Sequence, residues 1–277
     1  MTHPRKKSFT HSHEVLVDGA VSFKCSGDTD IWPWLTLAPF DPIVVQTINY
    51  WTSVETGIAR GTWDPTKWSA LTQTEWTCGA AGVSHATHGV ADSKMDESDP
   101  RYQLTFFDKN GSLVYRMSGT GVIFKNRDFE TWRNKAKRAI EKPAALMDFP
   151  YASAARTGLE EQAHCFISEL IDQDNRVAHG LITKDNGFPP GHPYLSGSGD
   201  HVNSTHLATI ARQFVNLMLD GASPDIVGGH MSFHRYVELD IPFQVQYVPT
   251  KKAGNHMSLT VSQADHLCAT LALEYRS

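Results

Sequence analysis

The stretch Asp200-His201-Val202-Asn203-Ser204 runs directly into a helix-like segment that extends over about residues 203–219. A shorter version, Asp41-Pro42, runs into a second segment at 43–60, which carries apolar residues at helical spacing. The first turn of a helix directs its unpaired N–H groups and the positive end of its dipole at whatever lies in front of it. Each stretch therefore predicts the start of a long helix that could face a carbonyl group.

The predicted elements around these two helices follow the same order, which indicates a duplicated unit. In the first half, strand-like runs lie before and after the helix, at 14–25, 75–91, 102–107 and 113–124. In the second half, the corresponding runs lie near 177–183, 226–238, 243–248, 257–263 and 267–275. Each half is thus expected to be α+β, with one long helix and several antiparallel strands.

The boundary between the halves is expected near residue 145. Asp108-Lys109-Asn110-Gly111 predicts a hairpin turn, and a charged helix at about 128–140 closes the first half. The segment 141–156 contains Pro and Ala and is predicted to be a linker, which gives units at 1–145 and 146–277. An exposed sheet edge is a liability, so the two sheets should pair with each other, and the helix inside each sheet should be almost wholly apolar.

Composition excludes several classes of protein. The 277 residues carry a net charge of −5, which provides no field to recruit nucleic acid or an anionic membrane. The four cysteines are scattered, which disfavours a zinc ribbon or a disulfide scaffold, and no grouping of the 14 histidines predicts a metal site. The N-terminal residues lack a secretory apolar core and no long apolar run follows, so a cytoplasmic protein is expected.

Three blocks of the second half resemble a known family. Asp200-His201-Val202, Ala211-Arg212-Gln213 and the run 233–242 are similar to blocks of the A-factor biosynthesis family, the γ-butyrolactone (butenolide phosphate) synthases. In the first half, 13–18 and 124–127 are similar too, so the resemblance spans most of the chain. It implies a double hotdog, in which each unit is a long central helix wrapped by a curved antiparallel sheet. It also implies transfer of a β-ketoacyl group from acyl carrier protein to dihydroxyacetone phosphate, without a metal or cofactor.

Two departures from the family pattern open a second hypothesis. Asn203-Ser204 stands where the family has Pro-Gly, and Thr209 stands where the family and the related hydroxyacyl-ACP dehydratases have a carboxylate. A threonine cannot act as the general base of a water elimination, so dehydration by that mechanism is disfavoured. The stretch 200–204 also resembles the His-Val-Asn-Asn turn of hotdog acyl-ACP thioesterases, in which Asn orients the acyl carbonyl and His assists water.

Transfer and hydrolysis require the same chemical groups. Attack on a thioester carbonyl builds negative charge on oxygen, and the backbone amides of Asn203, Ser204 and Thr205 are the predicted donors. His201 is the predicted base, oriented by Asp200, and a second candidate base, His192, lies in the preceding loop. Further residues are predicted to contact substrate: Ser204, Thr209, Arg212, Arg235 and Gln46, with the two arginines as candidates for holding a phosphate.

Structural interpretations of these residues remain open beside the catalytic ones. Asp200 could serve only as a helix cap, Arg212 could be a salt-bridge partner, and Asp41-Pro42 could be only a helix start. The first half has Phe40 where the family has a histidine, so it is expected to be the non-catalytic unit, with Gln46 and Asn49 as possible pocket lining.

Three functions follow from the sequence: acyl transfer to a small hydroxylated acceptor, thioester hydrolysis, and silent binding of an acyl chain. The expected substrates are thioesters of acyl carrier protein or CoA, whose phosphopantetheine takes the place of a cofactor, and a homodimer is possible. The choice among the three depends on the site itself.

Overall fold

The computed structural model describes residues 7–64, 67, 69–92, 101–124, 129–138, 140, 148–160, 162–172, 174–183, 186–188, 192, 194, 199–250 and 255–276. The first half contains β1 (Thr10–Val15), β2 (Val21–Cys25), α1 (Pro42–Arg60), β3 (Ser69–Cys78), β4 (His88–Ala91), β5 (Tyr102–Phe107), β6 (Leu113–Ile123) and α2 (Phe129–Arg138). The second half contains α3 (Ala154–Thr157), β7 (Ile167–Asp172), β8 (Val177–Gly180), α4 (Ser204–Met218), β9 (Asp225–Phe233), β10 (Phe243–Tyr247), β11 (His256–Gln263) and β12 (His266–Arg276).

The described strands form one continuous antiparallel sheet, whose order is β1-β2-β4-β5-β6-β3-β9-β12-β11-β10-β8-β7. Counted from its outer edge inward, each half of the sheet places its strands in the same order, β1-β2-β4-β5-β6-β3 in the first half and β7-β8-β10-β11-β12-β9 in the second. Along the chain, the long helix of each half follows the second strand of that half. The predicted α+β duplication is confirmed. The predicted unit boundary at 145/146 lies outside the described residues.

The two halves join where β3 pairs with β9. In this register Trp76 faces Gly229 across the seam, and Trp76 is buried. A Cβ atom at position 229 would lie 2.3 Å from the Trp76 ring, so only glycine lets the indole lie over the neighbouring strand at this point. The prediction that the two sheets pair with each other is therefore confirmed.

The helices α1 and α4 pack against each other inside the sheet. Asp41 caps α1 by accepting a hydrogen bond from the Ile43 amide at 2.9 Å, Pro42 occupies the first helical position, and Gly61 ends the helix with a positive φ of 73°. These signals are local in sequence, which is why the predicted helix and the observed one agree closely.

The prediction of almost wholly apolar central helices is wrong. Both helices bury polar side chains: Gln46, Thr47, Asn49, Thr52, Glu55 and Thr56 on α1, and Thr205, His206, Thr209, Gln213 and Asn216 on α4. Five of them hydrogen-bond to strands or loops, namely Thr47, Asn49, Glu55, His206 and Gln213. Glu55, for example, accepts from the amides of Phe9 and Thr10, which fixes the edge strand β1 to α1. Buried polar groups that find partners in this way are tolerated.

Three strand predictions also need correction. The alternation over 14–25 is a hairpin of β1 and β2, because the chain reverses at Gly19, which has a φ of 83°. The run 75–91 is divided between β3 and β4, and β7 was not predicted. The hairpin turn after β5 is confirmed: Asp108 accepts from the amides of Asn110 and Ser112 at 2.8 and 2.9 Å.

Within the described residues, no helix is both long and apolar enough to cross a membrane.

Candidate active site

The loop before α4 lies against the chain segment that follows β9. The Val202 amide donates to the Val237 carbonyl at 2.9 Å, and the two residues form an isolated antiparallel bridge. This bridge places the ring of His201 edge-on against the ring of Tyr236, with the centroids 4.5 Å apart. Two segments that are distant in sequence thus meet at the start of α4.

Asp200 and His201 contact each other at this point. The Nδ1 atom of His201 is hydrogen-bonded to Oδ1 of Asp200. Because a carboxylate only accepts hydrogen bonds, Nδ1 carries the proton and Nε2 of the neutral ring keeps its lone pair. The His201 side chain is 22% exposed, so the imidazole is sheltered but accessible. The pair has the arrangement that a general base requires, an imidazole fixed in one tautomer by a carboxylate.

The second oxygen of Asp200 contacts two cations on α2. The Lys137 ammonium lies 2.9 Å from Oδ2, and Nε of Arg133 lies 3.5 Å from the same oxygen. Sequence analysis did not identify these residues. They lie four positions apart and hence on one face of a helix, which is the signal that could have found them.

Arg133 is itself held by a buried carboxylate. Its two terminal nitrogens pair with the two oxygens of Glu238, with Nη2 to Oε2 at 2.8 Å, and the two side chains are only 5% and 6% exposed. Gln263 accepts from the Glu238 amide and donates to its carbonyl, at 2.8 and 3.1 Å. The guanidinium also lies over Tyr236, 4.2 Å from the ring centroid. The first half thus supplies a fixed cation to a site in the second half.

The first turn of α4 uses most of its amide donors internally. The Oδ1 atom of Asn203 accepts from the amides of Thr205 and His206 at 3.0 and 3.3 Å, and Nδ1 of His206 accepts from the Asn203 amide at 3.2 Å. This is a reciprocal capping box. The backbone amides of Asn203 and Thr205, predicted as donors to the substrate carbonyl, are therefore occupied by the capping bonds. The Ser204 amide is the one in the first turn that takes no part in the capping box.

His206 is a second histidine of the site that sequence analysis did not single out. Complete burial, together with the nearby His201 and His192, lowers its pKa to about 3. The ring is therefore neutral at physiological pH and serves as a hydrogen-bond acceptor for the cap. Its position three residues after the cap, where capping boxes usually have Glu or Gln, is the sequence signal that was available.

His192 lies in a different environment from His201. Its ring stacks on Phe188 at 4.8 Å, and Phe188 also stacks on His206 at 5.2 Å. Burial lowers the pKa of His192, and the nearby His164 has a smaller effect in the same direction. Its Nδ1 accepts from the Tyr194 amide at 3.1 Å, so the proton of the neutral ring lies on Nε2. In this arrangement His192 lacks the available lone pair that the second candidate base would need.

Thr209 and Thr47 occupy matching positions, the same number of residues after the caps Asn203 and Asp41. Both are buried. The Thr209 hydroxyl donates to the Thr205 carbonyl at 2.9 Å, and the Thr47 hydroxyl donates to the Tyr194 carbonyl at 3.3 Å. Each hydroxyl is thus used by the backbone, and neither side chain supplies a carboxylate.

The remaining predicted contact residues lie in other surroundings. Arg212 donates from Nη1 to Asp41 at 2.6 Å, so the salt-bridge interpretation of this residue agrees with the geometry and its guanidinium ties α4 to α1. Arg235 is exposed, and its amide donates to the Cys268 carbonyl. Gln46 is buried in α1, and neither of its amide atoms has a partner among the described residues. Nor do the described His, Cys, Asp and Glu side chains form a group of three or more that could hold a metal ion.

No family model matches this chain, and no curated protein does. The chain is similar to solved structures, however. An acyl-ACP thioesterase from Bacteroides thetaiotaomicron has 10% identity and a TM-score of 0.50, over 93% of this chain and 97% of that one. The dehydratase domain of RzxB from Pseudomonas fluorescens has 14% identity and a TM-score of 0.52, over 96% of both chains. The fold is a double hotdog.

At these identities the likeness establishes the fold and leaves the reaction open. The two similar structures belong to proteins of different activity, a thioesterase and a dehydratase. The narrower resemblance to the γ-butyrolactone synthases stays a prediction. The choice among reactions therefore depends on the residues at the start of α4.

Proposed function

We propose that this protein hydrolyses acyl thioesters, carried by the phosphopantetheine of acyl carrier protein or by CoA. The observation that carries the proposal is the Asp200–His201 pair, which lies directly before the buried helix α4 and is covered on one side by Tyr236. The thioesterase-like stretch 200–204 and the double hotdog fold are consistent with the same substrate class.

In this mechanism, Nε2 of His201 takes a proton from water as the water oxygen attacks the thioester carbonyl carbon. Asp200 holds the Nδ1 proton and stabilises the imidazolium that forms. The carbonyl oxygen gains negative charge, and the Ser204 amide, at the positive end of α4, is the proposed donor to it. Loss of such a donor costs about 3–4 kcal/mol in well-studied sites. The intermediate then expels the thiolate, which receives the proton from His201.

Acyl transfer to a small hydroxylated acceptor is the second candidate, and the matching blocks Ala211-Arg212-Gln213 and 233–242 favour it. His201 would then deprotonate the acceptor hydroxyl rather than water. We place hydrolysis first because Arg212, a predicted phosphate ligand for dihydroxyacetone phosphate, is bonded to Asp41. The cations near His201 are also compensated, since Arg133 faces Glu238 and Lys137 faces Asp200.

Dehydration is disfavoured because the matching positions of both helices carry threonine, whose hydroxyl cannot act as the base. The same two threonines would suit a protein that binds an acyl chain without catalysis. This third possibility differs from the other two in a simple assay, because binding leaves the thioester intact.

The proposal is tested with purified protein and a panel of saturated and β-ketoacyl thioesters of acyl carrier protein and CoA. Thiol release is measured with and without dihydroxyacetone phosphate, and His201→Ala serves as the background. Release without acceptor that depends on His201 supports hydrolysis. Release only with acceptor supports transfer and overturns the proposal, as does tight acyl binding with no release.

A further inference from the structure

The two oxygens of Asp200 have different kinds of partner. Oδ1 contacts the imidazole of His201, and Oδ2 contacts Lys137 and, at longer range, Arg133. The side chain of Asp200 is 38% exposed, so burial alone does not fix the direction of its carboxylate. The cations on α2 contact Oδ2, and this contact leaves Oδ1 toward His201.

We propose that Arg133 and Lys137 are positioning residues, which hold the carboxylate of Asp200 against the imidazole of His201. This inference rests on the proposed function, because it gives the base of that reaction its orientation. It also means that the site in the second half is completed by α2, an element of the first half.

The anchor for this arrangement is rigid. Arg133 forms two parallel hydrogen bonds with Glu238, and Gln263 in β11 fixes the backbone of Glu238 on both sides. Its guanidinium also contacts the face of Tyr236, whose ring in turn touches His201. Arg133 therefore reaches His201 through Asp200 and through Tyr236. Lys137, whose side chain is 34% exposed, adds a second positive charge beside Asp200.

The charged and titratable groups around His201 determine whether removal of Lys137 raises or lowers the pH at which His201 loses its proton. Among the described residues, these groups are Asp200 from its own loop, Arg133 and Lys137 from α2, Tyr236 and Glu238 after β9, and His206 from α4. Lys137 opposes the field of Asp200 at the imidazole. Its removal should therefore favour the protonated ring, so that His201 loses its proton at a higher pH.

The test compares Lys137→Met with Lys135→Met. Both substitutions remove one positive charge from α2, but Lys135 is exposed two residues away from the contact with Asp200. The titration of His201 is followed by NMR, and hydrolysis of an acyl thioester is measured as a function of pH. In Lys137→Met, the midpoint of His201 and the acid limb of the rate should both move up by about 0.5 pH unit, the size expected for one screened charge. Lys135→Met should move neither.

Arg133→Lys provides the second measurement. Lysine keeps the charge but cannot make the paired contacts with Glu238, so kcat should fall by about tenfold with little change in KM. Equal titrations in Lys137→Met and Lys135→Met, together with an unchanged kcat in Arg133→Lys, would overturn the inference. Because the NMR titration requires no activity, a protein that shows the shift but releases no thiol would overturn the proposed function alone.

Discussion

The starts of α1 and α4 are the same feature used in two ways. At α1, the cap Asp41 accepts from the Ile43 amide with one oxygen and from Arg212 with the other, and Pro42 contributes no amide donor. At α4, the cap Asn203 is preceded by an imidazole with a carboxylate partner. Duplication has thus kept the helix start in both halves. The first half uses it to hold the two helices together, and among the described residues only the start of α4 has an imidazole–carboxylate pair beside it.

The largest effect is expected at the start of α4. His201→Ala should lower the turnover of thioester hydrolysis by about 100-fold or more, because it removes the proposed general base. Far-UV circular dichroism and the thermal unfolding midpoint should stay close to those of the unmodified protein, since His201 is partly exposed. His266→Ala, an exposed histidine at the start of β12, is the matched control and should retain full turnover. An unaffected rate in His201→Ala would give both helix starts a structural role.

The next effect concerns stability at the start of α1. Asp41→Asn preserves a good helix cap but removes the charge that faces the half-buried Arg212. We expect the free energy of unfolding to fall by about 2 kcal/mol, because the guanidinium is left without its counter-charge. Urea unfolding measures this change. Turnover should stay within about twofold of the unmodified protein under native conditions, and a large loss of turnover would place the start of α1 in the active site as well.

A comparable effect depends on pH and involves the cap of α4. Burial lowers the pKa of His206 to about 3, whereas the unfolded chain binds this proton near pH 6.5. The stability that His206 contributes is therefore present above about pH 6.5 and is lost as the pH falls, at about 1.4 kcal/mol per pH unit for this one proton.

His206→Gln tests this pH dependence because glutamine can still accept from the Asn203 amide. The variant should lose less stability than the unmodified protein between pH 6.5 and 4.5, as measured by urea unfolding at a series of pH values. His266→Gln, at an exposed position at the start of β12, should retain the original pH dependence. Parallel curves for all three proteins would contradict the assignment of a buried neutral imidazole.

The smallest effect is expected at the two matching threonines. Thr209→Val and Thr47→Val each remove a hydroxyl that donates to a backbone carbonyl, while the volume is nearly kept. Each should cost about 1 kcal/mol of unfolding free energy. Neither should change turnover by more than about twofold. A larger loss of turnover in Thr209→Val alone would show that its hydroxyl contacts the substrate, and would sharpen the difference between the halves.

The sequence was sufficient for the features whose signals are local. Helix starts at Asp41 and Asn203, the turn at 108–111 and most of the strands were predictable because caps, turns and alternation are read over a few residues. The contact between Asp200 and His201 was predictable for the same reason, since the two residues are neighbours in the chain.

The features that sequence analysis missed depend on long-range contacts. Arg133 meets Glu238 only because α2 crosses to the second half, and no pattern within α2 shows which residue it will meet. The buried polar residues of the central helices have partners far along the chain, as Glu55 does in Phe9 and Thr10. The capping box was overlooked because its third position is a histidine, so the amides that it occupies were counted as available.

The central claim is that His201 activates water against an acyl thioester at the start of α4. The most direct test incubates a stoichiometric amount of acyl carrier thioester in ¹⁸O-water, with the unmodified protein and with His201→Ala, and analyses the products by mass spectrometry. We predict free acid with one ¹⁸O atom from the unmodified protein and intact thioester from the variant. Intact thioester from both proteins, or equal amounts of labelled acid from both, would contradict the claim.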